Sequence, residues 1–147
     1  MSYQVEADFM HEGNRCVVIA IDAGHRCGYV GIPSENVLYD KEYDDQIKEL
    51  DRGITPSRHF IVHGGITYAG GGLHSKYPVK SDLWWFGFDC DHYGDAKDFS
   101  IMDDRHKLLF SGGFDYGTIK DKNYCISNCK KLSEQLNEFI LSGGEDK

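Results

Sequence analysis

The stretch that most restricts how this chain can fold is Leu83-Trp84-Trp85-Phe86-Gly87-Phe88-Asp89-Cys90. Such a density of aromatic side chains reads as a β-strand at the core of a sheet. Side chains alternate across a strand, so Trp84 and Trp85 cannot be buried on the same face. One side of this strand is expected to supply core, and the other to offer interface anchors.

An element able to cover such a strand is legible at the C-terminus. From Asp121, a good N-cap, the apolar positions Cys125, Cys129, Leu132, Leu136, Phe139 and Ile140 recur at helical spacing. They mark one buried helix face, and Gly143-Gly144 supplies a stop. Elsewhere the first half reads as strand. Tyr3 to Phe9 alternates apolar with polar residues, Gly13-Asn14 signals a turn, and Arg15 to Asp22 is rich in β-branched residues, so the two segments predict a hairpin. Cys27 to Ile32 predicts a third strand, and His59 to His63 and Ile66 to Tyr68 are strand-like. Lys41 to Leu50 places Tyr43, Ile47 and Leu50 at helical spacing with acids between them, which predicts a short surface helix. Gly113 to Asp121 reads as a loop. The expected fold is a single α+β domain spanning residues 1–147. Its sheet is mainly antiparallel, with the C-terminal helix packed on it and a short surface helix.

Charge narrows the partners. Lys and Arg total 16 against 24 Asp and Glu, a net charge of −8. Such a surface repels a phosphate backbone, so direct nucleic-acid binding is not expected, while attraction to a basic protein remains open. The longest apolar run, Cys16 to Ile21, is far shorter than the roughly 18 residues of a membrane span. The N-terminus, Met1 to Asp8, has neither the basic nor the apolar region of a secretory signal. The expectation is a cytoplasmic protein with no membrane association. The 5 cysteines, an odd number, suit reduced thiols better than a disulfide framework.

Histidines and cysteines at strand ends mark the candidate site. His25-Arg26-Cys27 leads into the third strand, His63-Gly64-Gly65 ends another segment, and Asp89-Cys90-Asp91-His92-Tyr93-Gly94-Asp95 ends the aromatic strand. Cys27, His63, Cys90 and His92 form a set of the kind that binds zinc, since thiolate and imidazole are its usual ligands. Asp89 and Asp95 would then orient the histidines from outside. A second selection, His63, Asp89, His92 and Asp95, suits a hydrolytic site with an open water position. His25 could replace Cys27 in either set, and spacing alone does not separate them. Each residue also has a plainer reading: Cys27 and Cys90 as core, His63 as a hydrogen-bond partner for buried backbone, and Asp89 and Asp95 as turn caps. Cys125 and Cys129 read as small core residues. Neither a phosphate-loop signature nor a Gly-x-Ser-x-Gly elbow occurs.

Three motifs carry a resemblance. Cys27-Gly28-Tyr29-Val30-Gly31-Ile32-Pro33, His63-Gly64-Gly65-Ile66-Thr67-Tyr68 and Trp84 to Asp95 resemble a family of small proteins encoded by phages and prophages. Together with the size, the acidity and the candidate zinc ligands, the chain resembles the metal-containing type II-A anti-CRISPR proteins. The resemblance implies an inhibitor that binds a CRISPR effector nuclease, with zinc holding its fold together. The acidic stretches Asp40 to Asp51 and Asp89 to Asp104 would suit the basic grooves of such a partner. Two other functions fit the residues: a metal-dependent hydrolase of a phosphodiester or nucleotide, and a protein that sequesters a small nucleotide.

Overall fold

The computed structural model describes residues 2–50, 53–110 and 117–139. Strands β1 (Tyr3–His11) and β2 (Asn14–Ile21) form the N-terminal hairpin. Its turn is Glu12-Gly13, one residue earlier than the sequence suggests, and both residues have positive φ (53° and 85°). That pairing matches the twist of a tight hairpin. Asn14 instead belongs to the strand, where it pairs with His11 and is almost fully buried.

Strands β3 (Arg26–Ile32), β4 (Tyr68–Gly71) and β5 (Trp84–Asp89) complete a five-stranded sheet of order β1-β2-β3-β5-β4. All four pairings are antiparallel. The aromatic strand β5 is therefore interior to the sheet, between β3 and β4. Two short strands, β6 (Asp95–Ala96) and β7 (Thr118–Ile119), pair in parallel apart from it. Helix α1 (Pro56–His59) is a single turn that begins on a proline, and α2 (Asp104–Phe110) is short. Helix α3 (Lys122–Leu136) starts as expected at Asp121, whose side chain accepts the Tyr124 N–H. Among the described residues, no helix is long and apolar enough to cross a membrane.

Both faces of the sheet are buried, and alternation divides the core. On one face Cys16, Val18, Val30, Phe86 and Phe88 meet Cys125, Cys129, Leu132 and Leu136 of α3. Trp84 lies in this cluster. On the other face Val17, Ile19, Tyr29 and Trp85 are covered by Tyr68, Tyr77 and Leu83. The tryptophans thus occupy opposite faces, and both are core. Close approach of α3 needs Gly28. A Cβ there would overlap the Phe88 ring and the Cys129 sulfur. The far end of α3 is tied to the hairpin. Asn14 Nδ2 donates to Ser133 Oγ (3.0 Å) and Asn137 Oδ1 (2.8 Å), and Ser133 Oγ donates to the His11 carbonyl (2.7 Å).

The short helix expected over Lys41 to Leu50 does not form; successive turns run there instead. Asp40 adopts φ 68°, and the Asp45 carboxylate accepts the Glu42 N–H at 2.8 Å. Such local side-chain bonds compete with helical ones. Ile47 and Leu50 are buried all the same, so their spacing reports contact with the core without a helix. The short exposed helix of the fold is α2. His59 to His63 also departs from expectation: His59 ends α1, and the chain then runs irregularly to β4. Residues 113–116 of the expected loop, Ile140 and the Gly143-Gly144 stop lie outside the described residues.

Leu132→Ala removes a fully buried side chain at the helix–sheet contact. It should lower unfolding free energy by about 2–5 kcal/mol. Gly28→Ala should cost about 1–3 kcal/mol by overpacking. Leu73→Ala, at a residue 86% exposed, should stay within about 0.5 kcal/mol. Urea unfolding followed by tryptophan fluorescence measures all three.

Candidate functional site

The end of β5 and the turn after it gather the candidate residues. Asp89 caps this turn, as the plainer reading suggested: its Oδ1 accepts the Asp91 N–H (3.1 Å), and its Oδ2 accepts the Thr67 hydroxyl (2.9 Å). The turn closes with the Asp95 N–H on the His92 carbonyl (2.9 Å). This brings Asp95 beneath His63, which arrives from the segment after α1.

His63 is held on three sides. Its backbone N–H donates to Asn128 Oδ1 (3.0 Å), its Nε2 lies 2.8 Å from Asp95 Oδ2, and its Nδ1 lies 2.7 Å from the Tyr124 hydroxyl. Two of these partners sit on α3, so the histidine joins the helix to the turn. Asp95 is the buried centre of the network, with only 2% of its side chain exposed. Beyond His63 it accepts the His92 backbone N–H at 3.0 Å and the Lys120 ammonium at 3.1 Å. Burial alone would raise its pKa. The hydrogen bonds from His63, the His92 N–H and Lys120 outweigh burial and hold the carboxyl below its ordinary value.

Cys90 faces the α3 side, where its sulfur lies 3.6 Å from that of Cys125. The Cys125 contact, then burial, push the Cys90 thiol far up, so without a bound cation it stays protonated and is a poor nucleophile. Donor atoms of His63, Cys90 and Asp95 all lie within 4.8 Å of one another. This trio draws one residue from outside the first predicted ligand set, namely Asp95.

The other candidates stand outside this trio, although the His92 ring centroid is 6.0 Å from that of His63. Cys27 belongs to the opposite face of the sheet, packed in the cluster of Tyr29 and Trp85. Burial pushes its thiol up to about 12. It lines a cavity of about 480 Å³ together with His25, Tyr29, Tyr68, Asp89 and His92. Burial lowers the pKa of His25, and its Nδ1 is buried without a partner. The His92 ring packs on Gly64, where a Cβ would overlap it and where φ is 68°. Its Nε2 is 3.2 Å from Asp89 Oδ1 but is not aligned for a hydrogen bond. Among the described residues, Cys27, His25, His92 and Asp89 join no cluster of three donors as tight as the His63 trio.

Sequence reasoning missed Lys120, Tyr124, Asn128 and the contact of Cys125 with Cys90. One signal was available: Asn128 falls on the apolar face of α3, where a polar residue needs a partner. Comparison with protein-family models, curated proteins and solved structures returns no match.

Folded Asp95 has a depressed pKa, so its stabilisation is complete above the unfolded carboxyl value of 3.8. It disappears as pH falls through the lower folded value. Asp95→Ala should cost about 3–5 kcal/mol at neutral pH, because it removes the buried carboxylate that faces the His63 ring and the Lys120 ammonium. The gap between variant and parent should close in strong acid. Urea titrations at both pH values check this.

Proposed function

We propose that this protein is a non-enzymatic binding protein that docks an acidic surface on a basic partner, a host-defence nuclease of the CRISPR effector kind. The observation carrying this reading is the turn segment from Asp40 to Glu49. Asp40, Glu42, Asp44, Asp45 and Glu49 are all exposed. Among the described residues, none of them forms an ion pair. The basic side chains that do pair are engaged elsewhere: Arg15 with Asp8, Arg26 with Glu6 and Asp98, Lys97 with Asp91, and Lys120 with Asp95.

The segment is also well anchored. Ile47 and Leu50 are buried, and Trp84 Nε1 donates to the Lys41 carbonyl at 2.8 Å. A fixed array of unpaired carboxylates steers a basic partner and loses less entropy on docking than a mobile one. Asp89 and Asp91 line the tyrosine cavity. Their charge works against a phosphate-bearing ligand, which favours the binding reading over nucleotide sequestration.

Zinc enters the same proposal as a structural ion on His63, Cys90 and Asp95. The donors suit it: a sulfur, an imidazole and a carboxylate within mutual reach. The Tyr124 hydroxyl at Nδ1 would orient the ring, as outer partners of metal-bound histidine do. Zinc would also supply the charge that lets the Cys90 thiol ionise.

Replacing Asp40, Glu42, Asp44, Asp45 and Glu49 together by Asn or Gln should leave the unfolding midpoint nearly unchanged. It should weaken capture of a purified CRISPR effector by about tenfold or more, chiefly through the association rate. Parent binding should weaken as salt rises. Capture indifferent to both charge and salt would exclude the acidic interface. Elemental analysis should find about one zinc per chain. Cys90→Ser should lose it and lower the melting temperature, and a chain purified without chelator and free of zinc would exclude the structural ion.

A further inference from the structure

The trio of His63, Cys90 and Asp95 has a further sulfur at its edge. Helix α3 grips the trio through Tyr124 and Asn128, which both hold His63. Cys125 lies between these two residues in the chain, and its sulfur is 3.6 Å from that of Cys90. Both cysteines are buried, Cys125 completely and Cys90 with 3% of its surface exposed. The other cysteines on this face of the sheet have backbone partners. The Cys16 thiol lies 3.9 Å from the Asn14 carbonyl, and the Cys129 thiol lies 3.9 Å from the carbonyls of Val17 and Tyr29. Cys90 and Cys125 instead face each other, and a thiol is both a weak donor and a weak acceptor.

That separation has a second meaning. Two sulfurs each about 2.3 Å from one zinc ion stand roughly 3.8 Å apart along the edge of its tetrahedron. Structural zinc takes four protein ligands, whereas a site with three keeps a place for water. The trio supplies three. Neighbouring side chains are poor candidates for the fourth. His92 Nε2 lies over Gly64, where a Cβ would overlap it, and Lys120 is engaged as an ammonium group 3.1 Å from Asp95.

We propose that Cys125 is the fourth zinc ligand, closing a site of two thiolates, one imidazole and one carboxylate. The proposal rests on zinc being bound by the trio and goes further, because a closed site leaves no metal-bound water and so no hydrolytic chemistry at this centre. Cys125 is not among the donors that lie within 4.8 Å of one another. Binding therefore draws its sulfur inward, toward His63 and Asp95. Each of the two thiols releases a proton to solvent as its bond to zinc forms, while His63 binds through a neutral ring nitrogen and Asp95 as the carboxylate. Two thiolates and a carboxylate around a divalent ion leave one negative charge, which the Lys120 ammonium beside Asp95 offsets.

The test loads the full chain with cobalt(II) chloride in place of zinc and follows the sulfur-to-cobalt absorption in the near ultraviolet. Per bound cobalt, the parent band should be about twice that of Cys125→Ala, because the band scales with the number of thiolate ligands. Zinc affinity, measured by competition with a chelator, should fall in Cys125→Ala by at least the roughly tenfold that disturbing an outer partner of a ligand produces. Cys129→Ala, further along the same helix, should keep the full band. X-ray absorption at the zinc edge of the parent should count two sulfurs, which decides the question even if Cys125→Ala does not fold. A band undiminished in Cys125→Ala, or one sulfur at the zinc edge, overturns the fourth ligand and leaves the three-ligand ion standing. A parent that takes up neither metal overturns both.

Discussion

Phe88 stacked into the space left by Gly28 sets the distance between helix and sheet. Phe88 projects from β5 toward α3, and the missing side chain at residue 28 lets its ring and the Cys129 sulfur share that volume. Once α3 seats there, Cys125, Cys129, Leu132 and Leu136 are all removed from water. Each such burial contributes on the order of 1–3 kcal/mol. The same seating aligns both ends of the helix. Its C-terminal turns reach the hairpin through Asn14 and Ser133, and its N-terminal turns reach His63 through Tyr124 and Asn128.

The polar end of this contact is a network with a buried carboxylate at its centre. Asp95 accepts hydrogen bonds from an imidazole, a backbone N–H and an ammonium group. Removing a carboxylate from water is costly, and three donors offset that cost. The arrangement holds three chain segments together that are distant in sequence: the irregular stretch before β4, the turn after β5, and the approach to α3. It also places imidazole, thiol and carboxylate donors side by side, which is why a stabilising network and a metal centre are compatible uses of the same residues.

Charge is distributed unevenly around this frame. Acids near Arg15, Arg26, Lys97 and Lys120 are paired within the fold, whereas those of the Asp40 to Glu49 segment face solvent and, among the described residues, form no ion pair. Against Asp40, Glu42, Asp44, Asp45 and Glu49 the segment carries only Lys41 and Lys48, so this anchored surface keeps a net negative charge. A field of that kind acts on partners approaching from outside and leaves the core packing unaffected.

Local pattern alone was enough for the hairpin strands, the aromatic strand, the capped C-terminal helix and the α+β class, because period-two and helical spacing are properties of neighbouring residues. The same logic placed Trp84 and Trp85 on opposite faces. It failed over Lys41 to Leu50, where helical spacing coincided with turns whose side chains compete for the backbone. It named His63, Cys90 and Asp95 but could not group them. Cys27 and Cys90 look alike as strand-end cysteines, yet the pairing of β3 with β5 and the turn after Asp89 send them to opposite faces. Lys120 and Tyr124 have no local signature. Spacing between neighbours thus fixes the main strands, the long helix and the faces of each that avoid water. Which polar groups meet is settled on folding, because those contacts join residues far apart in the chain and depend on strand order, face and register.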